Sequence, residues 1–264
     1  MVVAGSSYWG MADGLWRGNP EAVAQVLDQM GQPLHDYLSL MLGDRDVATH
    51  ALADTMIVAL GHVGALRDPE WLPAWLFVLA RREYQRRVRA AASRAMPDTL
   101  GTLKRLTTDK AADKAASTAE RFYLALLQLD PLEREVFVLA EFPWLLGPRD
   151  IVRILGMRRA DAAALHRRAL GRLRDLVARS GIGEGASPGE LLEWVSRHLL
   201  GDFSRERVMY MCLAGDLAER RERIQKEAGP FAPDGFPVPP PREGTGRGAR
   251  KGWLGRMFGR RASR

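Results

Sequence analysis

The sequence predicts an all-α chain, on three observations. Apolar residues recur at three- and four-residue spacing along most of the 264 positions, and nothing alternates with period two over a useful length. Helix-starting and helix-stopping residues punctuate that pattern at Asn19-Pro20, Gly43, Asp68-Pro69, Asp130-Pro131, Pro148 and Gly156. Residues 91–118 lose the large apolar side chains and carry Pro97 and Gly101, which divides the helical pattern in two. With 46% hydrophobic residues the chain suits two small helical domains better than one large one. The expected order is a flexible lead-in over 1–18, a helical domain over 19–90 and a linker over 91–118. A second helical domain over 119–181 follows, then a helical extension over 182–228 and a disordered Pro/Gly/Arg-rich tail over 229–264.

In the first domain Asn19 caps a helix with Pro20 at its first position, and Val23, Val26, Leu27 and Met30 form its apolar stripe. Gln32-Pro33 breaks or kinks that helix, Leu34, Tyr37, Leu38 and Met41 continue it, and Gly43 ends it. Asp44 or Asp46 caps the next helix, which carries Leu52, Met56 and Leu60. Residues 61–73 read as a loop, with Trp71 as a large apolar residue among breakers. Residues 74–89, AWLFVLARREYQRRVR, then run from an apolar end to a cationic one. At helical spacing Trp75, Val78 or Leu79, Arg82 and Arg86 share a face. Arginines on a rigid helix suit phosphate, because the guanidinium fork pairs with phosphate oxygens and keeps its charge. A core helix with a solvated basic end is the plainer reading of this segment alone.

Downstream, Glu120 begins a stripe of Phe122, Leu126 and Leu129, and Asp130-Pro131 starts a helix with Val136, Phe137 and Leu139 facing inward. Pro148 opens a short helix, Gly156 supplies a tight turn with Met157 in the angle, and a long helix spans about 160–178. Ala162, Leu165, Ala169 and Leu173 make its buried stripe, while Arg158, Arg159, Arg167, Arg168, Arg172 and Arg174 decorate its other surfaces. A short helix, a glycine turn and a basic second helix form the helix-turn-helix pattern, whose second helix fits a major groove. Two core helices joined by a turn is the alternative.

Charge narrows the partners. Lys+Arg 39 against Asp+Glu 32 gives a net charge of +7 and a pI near 10.0, which suits a polyanion, nucleic acid or an anionic membrane face. The excess gathers at 81–89, 149–179 and the C-terminus. Cys212 is the single cysteine and the five histidines lack ligand spacing, so neither disulfide, metal nor cofactor is expected. No nucleophile–base pairing and no glycine-rich phosphate loop after a strand is visible, and Glu133 and Glu135 lie on different faces of their helix, so no enzyme is expected. MVVAGSSYWG has no signal-peptide character and no run approaches the ~18 apolar residues of a membrane span, which points to the cytoplasm. The basic end, residues 250–264, places Trp253, Leu254, Met257 and Phe258 among cations; contact with an anionic membrane is the lesser reading beside a disordered tail.

The motifs A-W-L-F-x-x-A-R at 74–81, L-x-L-D-P-L-E-R-E-V-F-x-L at 127–139 and H-R-R-A-L-G-R-L-R at 166–174 occur in that order. Over roughly residues 19–180 the chain resembles the extracytoplasmic-function group of the sigma-70 family, bacterial sigma factors built of regions two and four. The resemblance implies a promoter-specificity factor with RNA polymerase core as its partner, through the β′ clamp helices and β flap. Promoter DNA and an anti-sigma factor are further partners, and the active protein would sit on the nucleoid. It places polymerase contact at His50, Ala53, Asp54 and Ile57. Minus-ten contact falls on Arg67, Trp71, Arg82, Arg86 and Arg89, with Arg67 and Trp71 rimming a pocket for an extruded base, whose extrusion costs a few kcal/mol. Minus-thirty-five contact falls on Arg158, Arg159, Ala163, Arg167 and Arg168, where a bidentate Arg–guanine pair is worth ~1–3 kcal/mol. The chain departs from the family pattern at Thr49, His50 and Ala53, at Arg82 and Arg86 where Asn and Asp are usual, and at His166. Two other functions stay open: a helix-turn-helix regulator acting without polymerase, and a degenerate sigma-like interaction protein.

Overall fold

Helix formation begins earlier than the glycine-rich start suggests. In a computed structural model, which describes residues 8–93, 114–142, 146–180, 182, 186–214 and 218–237, α1 spans Tyr8–Trp16 and buries Met11 and Leu15. The flexible lead-in expected over 1–18 is therefore corrected for the described part: two apolar residues four apart anchor a helix despite Gly10 and Gly14. Asn19 caps α2 (Pro20–Val26) by accepting from the Glu21 amide at 2.9 Å. The expected kink at Gln32-Pro33 is a π-helical turn, Leu27–Gly31, which carries the chain without a stop into α3 (Gln32–Leu42). A proline removes one helical donor, and the wider turn just before it absorbs that loss. Gly43 ends α3 at φ 75°, a conformation that costs other residues free energy.

Asp44, not Asp46, caps α4 (Arg45–His62) by accepting from the Val47 amide. Residues 45–65 are long and apolar enough to cross a membrane, with mean hydropathy 1.2, against the expectation that no such run exists. Two thirds of that stretch, 67%, is buried inside the protein, which explains the composition as that of a core helix. Two short 3₁₀ turns lead to α5 (Leu72–Ser93). The linker expected over 91–118 lies mostly outside the described residues; its end belongs to α6 (Lys114–Leu127). Then come α7 (Pro131–Glu141), α8 (Pro148–Leu155), α9 (Arg159–Arg179) and α10 (Pro188–Val195). A π-helical turn (Ser196–Leu200) follows, then α11 (Arg205–Leu213) and α12 (Ala218–Glu227). No strand occurs among the described residues beyond a single bridge between Phe231 and Pro237. The fold class is all-α.

The two helical halves share a core. α3 packs on α7 and α5 packs on α8, so apolar side chains from Met11 to Phe236 join one cluster. Glu135 of α7 fastens this seam: buried at 3% exposure, it accepts from Tyr37 Oη at 2.7 Å and from Arg81 Nε and Nη2 at 2.9 and 3.2 Å. Burial raises the Tyr37 phenol well above its ordinary pKa, so it remains the donor. Glu133, two residues away, points to the other side and holds Arg168 and Arg172 of α9. The expectation that these two acids face apart is met, and each ties α7 to a different neighbour.

The extension wraps the first half. Gln32 donates to the Gly201 carbonyl and accepts from the Phe203 amide, and Ser196 donates to Asp36 at 2.6 Å. α11 and α12 lie on α4. Residues 229–237, expected to be disordered, are a correction: they fold back onto α5, with Trp75 Nε1 donating to the Gly235 carbonyl at 2.8 Å. Gly235 sits at φ +84°, and a Cβ there would fall 2.2 Å from the Ala65 carbonyl oxygen. Only glycine permits that approach. The membrane reading of 250–264 and the rest of the tail lie outside the described residues.

Candidate nucleic-acid interface

Asp150 and Gly147 cap α8 at its start, the Gly147 amide donating to Asp150 Oδ2 at 2.6 Å, and Gly156 at φ +62° ends it. Reversal within three residues follows, and α9 begins at Arg159. Ala162, Ala169 and Leu173 face inward, where α9 packs on α7, α6 and α8. His166, where the family pattern has an apolar residue, donates from Nε2 to Glu141 Oε1 at 2.6 Å and so ties α9 to α7.

The opposite face of α9 is open. Ala160, Ala163, Ala164, Arg167, Gly171 and Arg174 follow each other at helical spacing and all are exposed, as are Arg158 and Arg159 at the N-terminal end. No carboxylate among the described residues pairs with Arg158, Arg159, Arg167 or Arg174. Small side chains let this face approach a rod closely while long guanidinium arms reach past it. Arg168 differs from expectation: it donates from Nε to Glu133 at 2.5 Å and helps hold the helix to its own protein, as Arg172 does. Arg174 completes the open face and was not among the expected contacts. The run of small and basic residues at 160, 163, 164, 167, 171 and 174 is the signal that selects it.

The second cationic helix is arranged differently. Arg86 of α5 donates to Glu83 at 2.7 and 2.8 Å, to Asp54 at 3.4 Å and to Glu227 at 3.2 Å. Arg87 donates to Glu83 and Asp54 at 2.6 Å each. Glu83 is raised by burial, although its arginines pull the other way, whereas Arg86 is raised first by its bond to Glu83. Arg82 is half-buried under Gly229, and burial, then the Arg89 charge, pulls its pKa down. Only Arg89 and Arg67 of the expected minus-ten cations stand exposed. Trp71 does not rim an open pocket: Phe236 meets it edge-on at 6.3 Å between ring centres, and Arg153 lies over both rings.

The expected polymerase face is likewise occupied. His50 is exposed, with Nδ1 donating to the Asp46 carbonyl at 2.7 Å. Ala53, Asp54 and Ile57 are buried. Cys212 Sγ donates to the Ala53 carbonyl, Arg220 reaches Asp54 Oδ1 at 2.5 Å, and Gln225 donates to the Ile57 carbonyl. Burial pushes the Cys212 thiol up to about 12, so it stays protonated and inert. These contacts come from residues 205–237, to which sequence patterning assigned no partner. Among the described residues no group of acids, histidines and cysteine gathers to hold a metal. No family model, curated protein or solved structure matches the chain.

Proposed function

We propose that the chain is a sigma-type transcription initiation factor of the extracytoplasmic-function kind, whose α8–α9 unit binds duplex DNA and which acts with RNA polymerase. One observation carries this reading: the exposed face of α9 combines small residues with four arginines that have no carboxylate partner among the described residues. A second helix presented this way fits the major groove, its arginines reaching base edges or phosphates. The order of the motifs over 74–81, 127–139 and 166–174 supports the polymerase part of the proposal.

A second reading draws on the state of α5. Arg86 and Arg87 spend their charge on Glu83, Asp54 and Glu227. A chain fixed in this arrangement would bind DNA or polymerase without opening a promoter. Core polymerase, the full chain and a library of promoter fragments separate the readings. A sigma factor yields open complexes and defined transcript starts. Stable core binding without transcripts favours the interaction protein, and tight binding to a palindrome without polymerase favours an ordinary regulator.

A further inference from the structure

We propose that residues 218–237 are a detachable cover over the α4–α5 face, closing it against polymerase and promoter until they swing away. This rests on the sigma-type reading. The segment touches the expected contact residues one after another. Arg220 holds Asp54 and Gln225 holds the Ile57 carbonyl; Glu227 pairs with Arg86, and Gly229 lies on Arg82. Phe231 stacks on His62 with ring centres 4.3 Å apart, and Phe236 packs on Trp71.

What holds the segment marks it as removable. α12 reads AERRERIQKE, and Ile224 is its one large apolar side chain and its one buried residue. Its remaining attachments are polar: the Arg86–Glu227 pair at 38% and 44% side-chain exposure, the more deeply set Arg220–Asp54 pair and the Gln225 bond to the Ile57 carbonyl. Beyond the helix, Phe236, the Trp75–Gly235 hydrogen bond and the Arg153–Asp234 pair hold residues 229–237. Exposed pairs such as Arg86–Glu227 are weak and fade with salt, so much of the hold of α12 rests on Ile224 and Arg220. A half-open cleft of about 120 Å³ lined by Arg82, Arg86, Arg89, Ile224 and Glu227 runs along the seam and admits solvent to it.

The face beneath survives uncovering. Asp54 loses Arg220 but keeps Arg87 at 2.6 Å, so no buried charge is orphaned. The carbonyls of α4 remain bonded within the helix. The segment is anchored upstream, where Phe203 packs on Gly31 and Gln32 binds residues 201 and 203, so it stays tethered when it leaves.

The test uses the full chain in two opened forms and one locked form. Ile224→Glu removes the apolar anchor, and Gly235→Ala, which cannot pass the Ala65 carbonyl, dislodges the end without touching α12. Gly61→Cys with Gln225→Cys locks it, since a Cβ at position 61 would lie 3.1 Å from Gln225 Cγ. Affinity for core polymerase and amide exchange of residues 45–62 are measured for each. A cover closed nine-tenths of the time or more lowers apparent affinity about tenfold or more. Both opened forms should therefore bind core at least about tenfold more tightly than the parent and exchange faster. The oxidised locked form should not bind until reduced. Equal affinity in all forms overturns the cover and leaves the sigma reading standing. Faster exchange in the opened forms with no core binding by any form overturns both.

Discussion

α5 and α9 are both arginine-rich helices, yet they present opposite surfaces. On α5 the guanidinium groups turn to Glu135, Glu83, Asp54 and Glu227, and residues 218–237 lie over them. On α9, Glu133 takes Arg168 and Arg172 on the inner flank, and Arg158, Arg159, Arg167 and Arg174 remain open. A cationic run in sequence is thus not a cationic surface. What decides is whether a buried carboxylate lies within reach, because a charged acid inside the protein is costly without a charged partner.

The largest effect should follow from breaking the α5 side. Glu135→Ala strands Arg81, whose side chain is 20% exposed, and leaves the Tyr37 hydroxyl without its acceptor. Loss of one partner of a buried pair costs about 3–5 kcal/mol, readable as a lowered urea midpoint. A loss below ~1 kcal/mol would mean the two halves do not meet through Glu135.

The covered half should also carry a pH signature. Burial raises the Asp36 carboxyl from 3.8 to about 6, against hydrogen bonds from Ser196 and Gln32 that favour the charge. Between those values the unfolded chain ionises while the folded one does not, so the Asp36 contribution to stability falls as pH rises. Burial lowers His35 from 6.5 to about 4. There the unfolded chain takes up a proton that the folded one refuses, so the His35 contribution rises with pH. The two slopes nearly cancel in the parent. In Asp36→Asn the histidine slope is no longer offset by this carboxyl, and stability should climb relative to the parent by roughly 2–3 kcal/mol from pH 4 to 6.5. Unfolding curves at several pH values check this; a flat profile would mean His35 is solvated.

On α9 the readout is the proposed binding to DNA. Arg167→Ala should weaken binding by about 1–3 kcal/mol if it reaches a base edge. If it meets a phosphate, the salt slope should fall by about 0.9. Arg86→Ala should leave both unchanged in the covered chain, although the sequence alone set the two arginines side by side as promoter contacts. Equal effects at both positions would erase the contrast between the helices.

The smallest change belongs to Glu133→Ala. Its partners Arg168 and Arg172 are 64% and 46% exposed and can turn to water, so the loss should stay near ~1 kcal/mol. Release of Arg168 should strengthen DNA binding slightly. A loss as large as that of Glu135→Ala would show that exposure of the partner does not matter here.

The helices themselves were legible because their causes are local. Asn19, Gly43, Asp130-Pro131, Pro148 and Gly156 act on their own few residues, and apolar spacing marks each inward face. The open face of α9 was legible for the same reason, apart from Arg174 and the diversion of Arg168. The helix at 8–16 and the ordered stretch at 229–237 were not. Gly-rich and Pro-rich segments look unstructured until Met11 and Leu15, or Phe236 against Trp71 and Arg153, find a surface made by distant residues.

By itself, then, the sequence determined an all-α chain with a helix-turn-helix pattern and two basic helices, since periodicity and capping are short-range. Tertiary structure alone decided that the halves share a core, that Asp54 gathers Arg86, Arg87 and Arg220, and that residues 218–237 lie over α4 and α5. Partners 32 and 166 positions apart meet only when the chain closes on itself. Their energies come from burial, and no local rule records which charges burial will bring together.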